Sequence, residues 1–318
     1  MKRILITGGS GFIGTHLSKY LIEQGNIVYC LDIKPPRFDS PNLIYINHDV
    51  TNLTTLTINE PIDRIYNFAA VHTTPGHPSY EYYNTNISGA IEVCALANRL
   101  EITEIIFTSS ISVYGPNEEQ KDEESKLTPN SAYGYSKMLA EKIHRNWLID
   151  NKTKKLTIIR PAVVFGQGEG GNFTRLATML QKGFFIYPGR KDTIKACIYV
   201  ADLIWLFEHA RNTNNQFELL NGAYPQRYTL QEIIETFTTN HYPDAKTYLV
   251  PKFIVILAAK IFRVFNVFNV GVHPDRVMKL IKSTNIYPSW LDSQEFILSE
   301  DLSSALSRWS KDSNGRFD

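Results

Sequence analysis

A chain of 318 residues with 43% hydrophobic content has enough apolar side chains for a large buried core and too many for a disordered chain. Thirty-three Lys and Arg against 32 Asp and Glu leave a formal net charge of +1, so no global field draws the chain to nucleic acid or to an acidic membrane surface. The three cysteines, Cys30, Cys94 and Cys197, are far apart and lack metal-ligand spacing; they read as reduced, buried thiols, and no metal is expected.

Met1-Lys2-Arg3 leads straight into Ile4-Leu5-Ile6, an apolar stretch far shorter than the core of a signal peptide. It predicts a strand over 2–7 and a cytoplasmic location. Further strands are predicted over 27–32, 43–47, 64–68, 104–109 and 157–160, and helices over 11–23, 85–99 and 132–150. Strands alternating with helices of this length argue for βαβ units and a parallel sheet. The fold class expected is α/β: a Rossmann-type doubly wound parallel sheet with a smaller, mainly helical C-terminal substrate lobe. After Arg160 comes a glycine-rich loop at 166–171, then a helix over 173–182; from Ala223 onward helices alternate with proline-containing loops. The boundaries expected are a parallel-sheet domain over 1–165, rejoined by 192–222, and a second lobe over 166–191 and 223–318. An apolar stretch over 253–268 is interrupted by Lys260, Arg263 and Asn266, so it falls short of the ~20 residues of a spanning helix. It reads as a partly buried helix of the lobe, with an interfacial helix or a dimer face as alternatives; a homodimer is expected.

Thr7-Gly8-Gly9-Ser10-Gly11-Phe12-Ile13-Gly14 follows the first predicted strand and opens the first helix. Gly8 permits a tight turn, Gly11 lets a pyrophosphate approach the backbone, and Gly14 lets the helix sit close to the sheet. The helix N-terminus at Phe12 and Ile13 then offers free N–H groups to phosphate. Asp32 closes the second strand at the spacing of a ribose ligand. Its carboxylate favours NAD over NADP, while Lys34 and Arg37 soften that preference. Ligands of open parallel sheets sit at the carboxyl ends of the strands, which adds Asp49, Val50, Phe68, Ala69 and Ala70 as cofactor candidates.

Tyr133-Gly134-Tyr135-Ser136-Lys137 opens the helix over 132–150. Tyr133 and Lys137 are four apart and share a helical face. A phenol titrates near pH ~10, and a neighbouring ammonium lowers that value. Tyr133 is therefore the candidate general base toward a substrate hydroxyl, and general acid in reverse; Tyr135 faces elsewhere. Thr108-Ser109-Ser110 ends the fifth strand, where a serine hydroxyl can hold the reacting oxygen. Ser110 is preferred over Ser109 and Ser112. No Gly-x-Ser-x-Gly elbow of a serine hydrolase is present.

Together these residues resemble the extended short-chain dehydrogenase/reductases, specifically the NAD-dependent nucleotide-sugar epimerase/dehydratase family. The likeness spans nearly the whole chain: the glycine turn at 7–14, Asn86-x-x-Gly89, the Ser-x-x-x-Val-Tyr-Gly pattern ending at Gly115, Tyr133/Lys137, and Arg160-Pro161-Ala162-Val163-Val164-Phe165-Gly166. The resemblance implies bound NAD, with Asn86 in the cofactor set, Lys137 also on the nicotinamide ribose, and Ser110 as the catalytic hydroxyl. It implies substrate contacts from Asn172 and from Lys195, which stands where the family usually has a diphosphate-binding Arg. Charge is kept there and bidentate geometry lost. Tyr199 replaces a usual His, and Ile111-Ser112 replaces the acid pair of the 4,6-dehydratases, which argues against dehydration. Arg276 is a candidate second diphosphate ligand or a solvated helix-end charge. The function expected is a nucleotide-sugar 4-epimerase. The alternatives are a net NAD(P)-dependent dehydrogenase or reductase of a keto-deoxy nucleotide-sugar or a sterol-like alcohol, and, remotely, a non-catalytic cofactor sensor.

Overall fold

The computed structural model describes residues 1–74, 76–149, 151–255, 281–294, 298 and 301–318. Two compact units emerge, each built from several stretches of chain. The first comprises Met1–Gly115, Ser125–Pro161 and Leu203–Gly222; the second comprises Pro116–Glu124, Ala162–Asp202 and Ala223–Asp318.

The first unit is organised on seven parallel strands: β1 (Arg3–Thr7), β2 (Ile27–Asp32), β3 (Leu43–Asn47), β4 (Arg64–Asn67), β5 (Glu104–Thr108), β7 (Lys155–Pro161) and β11 (Phe217–Gly222). Their order across the sheet is β11-β7-β5-β4-β1-β2-β3, which reverses direction at β1 and so opens a crevice at the carboxyl ends of β1 and β4. Central strands are covered on both faces and read as near-continuous apolar runs: every residue of β4 is buried, and four of five in β1. The edge strand β3 exposes Ile44 and Tyr45. β11 lacks the apolar run that marks the other strands, and the sequence reading omits it.

Three long helices cross between strands. α1 (Phe12–Glu23) buries Gly14, Leu17, Ser18 and Leu21, a helical stripe against the sheet. Ahead of α3 (Gly89–Arg99) the short helix α2 (Ser79–Tyr83) runs into a π-helical turn at Asn84–Ser88, so the helix predicted over 85–99 starts differently. α4 (Ala132–Ile149) buries Lys137, Glu141 and His144 beside Gly134, Ala140 and Trp147. Three ionisable groups on the buried face of one helix need partners, and those partners build the site.

Among its described residues the second unit holds three two-stranded parallel ladders. These pair β6 (Asn117–Lys121) with β13 (Thr284–Ile286), β8 (Val163–Phe165) with β10 (Cys197–Tyr199), and β9 (Phe184–Gly189) with β12 (Lys246–Pro251). α5 (Asn172–Gln181), α7 (Leu230–Asn240) and the helix Leu302–Asp312 contribute Phe173, Phe237 and Trp309 to an aromatic core with Phe165 and Phe317. α6 (Val200–Arg211) starts in this unit and ends in the first. The division corrects the expected boundaries at 116–124, 162–165 and 192–202. Those stretches carry β6, β8 and β10, whose hydrogen-bond partners all lie in the second unit. Among the described residues the lobe also carries strands of three to six residues, which pair across long separations and leave little local periodicity to read.

Candidate active site

At the end of β1 the chain turns through Gly8 to Gly11 into α1. Gly8 has φ +71°, and a Cβ there would lie 2.7 Å from the backbone nitrogen of Ala69. A Cβ on Gly14 would lie 2.6 Å from the Gly8 carbonyl oxygen. Glycine is thus required twice, once by backbone angle and once by close packing of helix on turn. Gly11 has no side-chain cap, so the first N–H groups of α1, including those of Phe12 and Ile13, start the helix without a side-chain acceptor.

Asp32, ending β2, is brought beside this turn. Its carboxylate accepts from the Ser10 N–H at 3.1 Å and from the Lys34 N–H at 3.0 Å. Arg37 donates from Nε to the Ser10 carbonyl at 3.0 Å, which puts a cation next to the same turn. An uncapped helix start, backbone without side chains in its way and a fixed carboxylate fit a dinucleotide with a free ribose 2′-hydroxyl.

Other cofactor candidates divide. Ala69 and Ala70 are half-buried after β4, with Ala69 against Gly8. Phe68 turns its ring to Phe207, with centroids 5.1 Å apart, and is a packing residue. Val50 is buried and touches Gly89. Asp49 is exposed, its carboxylate held by the N–H and hydroxyl of Thr51 at 2.9 Å each. Asn86 departs most from expectation: its amide bonds the Val71 N–H and carbonyl at 2.9 and 3.1 Å and the Ser136 hydroxyl at 2.8 Å. It therefore latches the chain after β4 onto α4, and its polar atoms are engaged within the protein.

Ser110, Tyr133 and Lys137 come together at the carboxyl end of β5. Ser110 has an extended backbone and caps the 3₁₀ turn Ile111–Val113, its Oγ accepting from the Ser112 N–H at 3.1 Å. The same hydroxyl is near enough to the phenol of Tyr133 to act on its ionisation. Lys137, buried one helical turn beyond Tyr133, donates from Nζ to the Thr108 carbonyl at 2.7 Å and sits 4.9 Å from the centre of the Phe107 ring. Tyr135 is 44% exposed and takes no part. The expected electrostatics are corrected here. Burial pushes Tyr133 up to about 12, with the Ser110 hydroxyl pulling the other way. Burial pushes Lys137 down to about 7, opposed by the charge of Glu141. The ammonium donates to the Thr108 carbonyl, and burial outweighs the lowering of the phenol that the i,i+4 spacing alone predicts.

Behind Lys137 lies a network the sequence reading missed. Glu141, one further turn along α4, accepts from Ser109 Oγ at 2.5 Å and from Arg160 Nε and Nη2 at 2.8 and 2.7 Å. Arg160 Nη1 donates to the Tyr114 hydroxyl at 2.7 Å, which donates to Asn221 Oδ1 at 2.9 Å. All five groups are buried. The network binds β5, β7, β11 and α4 together directly below Ser110. The signal for it was present as Tyr133, Lys137 and Glu141 at successive i,i+4 positions, and as an Arg ending an apolar strand. Beside it His144, pushed down to about 4 by burial, bonds the Ala140 carbonyl at 2.8 Å and Asn67 at 3.2 Å, and stacks on Phe107.

The substrate candidates belong to the second unit. Asn172 opens α5 and is exposed. Lys195 donates from Nζ to the Lys282 carbonyl at 2.6 Å, and burial pushes it down to about 8. Tyr199 is buried, its ring tilted against Phe165 and its hydroxyl 3.3 Å from Asp312, which makes it a core residue. Arg276 lies outside the described residues, as does 256–268 of the apolar stretch. The three cysteines are free and buried.

A doubly wound parallel sheet with this glycine turn, acidic residue and Ser/Tyr/Lys set defines an NAD-linked enzyme of the extended short-chain dehydrogenase/reductase type. The chain belongs to the NAD-dependent epimerase/dehydratase family, whose model matches residues 4–219. Among curated proteins it is 28% identical to the N-acetyl-α-D-glucosaminyl-diphospho-ditrans,octacis-undecaprenol 4-epimerase of Escherichia coli O157:H7, over 96% of this chain and 93% of that protein. It is 26% identical to a UDP-glucose 4-epimerase of Lactobacillus helveticus, over 74% of this chain and 80% of that one. Among solved structures it resembles the UDP-Glc/GlcNAc 4-epimerase of Campylobacter jejuni, with TM-score 0.75 and 20% identity over 98% of this chain and 100% of that one. MoeE5 in complex with UDP-glucuronic acid and NAD gives TM-score 0.73 and 18% identity over 98% and 99%. At these identities the solved structures bear on the fold alone.

Proposed function

We propose that the protein is a 4-epimerase of a diphosphate-linked hexose, with a nucleotide-sugar as the first substrate class. The observation that carries this reading is the Ser110–Tyr133–Lys137 set at the carboxyl end of β5, one strand from the glycine turn across β4. Bound NAD supplies the site for hydride exchange at C4. Tyr133 takes the proton of the 4-hydroxyl and later returns it. Ser110, close to the phenol, donates to the same oxygen and fixes its position. Lys137 places a positive charge at the strand end beside Tyr133, which favours the phenolate that the proton-abstracting step requires; Glu141 helps it stay protonated. NAD held by the glycine turn and Asp32 would supply reversible hydride transfer, and a 4-keto sugar presenting its other face would be returned to an alcohol with no net change of cofactor. Ile111 and Ser112 offer no acid–base pair for eliminating water.

A second reading of the carrier has its own support. The Escherichia coli relative, similar along almost the whole chain, acts by its name on a polyprenyl-diphospho sugar. A sugar diphosphate is common to both substrates, and Lys195 is a point charge suited to either. The test is conversion of UDP-hexoses in one arm and polyprenyl-diphospho-N-acetylhexosamine in the other, with products resolved by NMR and absorbance followed at 340 nm. Epimer formation without net NADH supports the reading, and the productive arm identifies the carrier. Stoichiometric NADH production or consumption replaces it with a dehydrogenase or reductase. Tyr133→Phe is expected to lower kcat by about 10²–10⁴-fold with NAD affinity kept; an active variant removes Tyr133 from the chemistry.

A further inference from the structure

In the second unit, β9 and β12 pair with Phe184 opposite Lys246 and Ile186 opposite Tyr248. Register partners lie on the same face of a sheet, so Phe184, Ile186, Lys246 and Tyr248 form one surface. The alternate residues Phe185 and Tyr187 are buried on the other side. The outer surface is open: Phe184 is 39% exposed, Ile186 40% and Tyr248 54%. Directly after β12 the chain bends at Pro251 into a helical turn, where Phe253 is 70% and Ile254 43% exposed. Leu249, opposite Tyr187 on the other face, is 50% exposed as well. Exposed apolar side chains are ordinary one at a time; six of this size within two paired strands and the turn that follows, five of them on the outer surface and the turn, are not.

Charge selects what covers them. Lys182, Lys246 and Lys252 are exposed in the same two segments, against one exposed carboxylate, Asp244. A second copy packed symmetrically on this surface brings lysines toward lysines. An anionic lipid surface neutralises them, while Phe, Tyr and Ile side chains enter the headgroup boundary and the lysine stems lie along it. The sequence beyond Val255 keeps the same mixture, apolar residues with Lys260 and Arg263. Among the described residues no helix is long and apolar enough to cross a membrane, so the contact made here is with the surface.

We infer that the β9–β12 face and the Phe253–Ile254 turn dock the protein on an anionic lipid surface. This goes beyond the reaction proposed above and does not depend on it. The experiment is sedimentation of the full chain with NAD and vesicles of phosphatidylglycerol and phosphatidylcholine, or of phosphatidylcholine alone, at low and at 0.5 M salt. Binding to the anionic vesicles is expected, lost in high salt and absent with the neutral ones. Each lysine near the surface contributes about fivefold to such binding, so Lys182, Lys246 and Lys252 changed to Gln together should weaken it on the order of 100-fold. Phe253→Ser with Ile254→Ser changes only exposed side chains and should weaken it at least tenfold, with NAD affinity unchanged. Three results overturn the inference: no vesicle binding, equal binding to neutral vesicles, or a dimer by sedimentation equilibrium that the Phe253→Ser/Ile254→Ser variant dissociates. Vesicle binding is read without any sugar substrate, so its failure leaves the epimerase reading untouched.

Discussion

Glu141→Gln tests whether the buried network is what holds the catalytic strand end. Glu141 and Arg160 are each 2% exposed and meet through two hydrogen bonds of 2.8 and 2.7 Å. Gln keeps the shape and one acceptor oxygen but leaves the guanidinium a buried cation with only neutral partners. Removing one member of such a pair costs about 3–5 kcal/mol, because the other charge stays desolvated. For a unit of this size that lowers Tm by on the order of 10 °C. Lys137 also loses the charge that opposes its burial, so its pKa moves further below about 7. It then loses its proton at lower pH, and the alkaline fall in kcat/KM moves to lower pH. The assay pairs calorimetry with pH–rate profiles for Glu141→Gln and for Glu141→Gln/Arg160→Met. The double variant removes the unpaired buried guanidinium and is expected to recover most of the lost Tm while keeping the displaced profile. A single variant within about 2 °C of the parent, or a double variant no better than the single, refutes the reasoning.

Three further outcomes follow from the same geometry. Gly14→Ala puts a Cβ 2.6 Å from the Gly8 carbonyl, so α1 must move off the turn; a loss of about 1–3 kcal/mol in urea unfolding is expected, with NAD affinity weakened at least roughly tenfold by the displaced helix start, and an unchanged Kd would count against the packing argument. Asp32→Ala frees the Ser10 and Lys34 N–H groups and leaves Arg37 beside the turn. Its preference for NAD over NADP should fall by about tenfold or more, and an unaltered ratio of dissociation constants would show that the carboxylate does not select the cofactor. Lys137 titrates at about 7 in the folded chain and near ~10.4 when unfolded, so the unfolded chain binds more protons between those values and this residue makes stability rise with pH across that window. Below about pH 7 both states are protonated and its contribution is flat. Urea unfolding without added NAD should give a steeper rise from pH 7 to 9.5 for the parent than for Lys137→Met, and parallel curves would contradict it.

The local features of this protein were legible in its sequence because their causes are local. A glycine turn between strand and helix, an acidic residue ending the next strand and a Tyr and Lys one helical turn apart are each set by a few adjacent residues. Asp32 accordingly meets the turn of Thr7 to Gly14 at Ser10, and Lys137 meets the end of β5 at Thr108, as the alternating pattern predicts. Tertiary structure alone decided what depends on distant partners. Asn86 reads as a ligand from its motif, yet its amide is engaged by Val71 and Ser136. Lys137 sits correctly for acting on Tyr133, yet burial and the Thr108 carbonyl govern its charge. Glu141 and Arg160, 19 residues apart on a helix and a strand, become a pair only when the sheet forms. The paired β9 and β12, some 60 residues apart in sequence, carry no periodic signal of their own; the apolar surface they expose exists only once the strands have met.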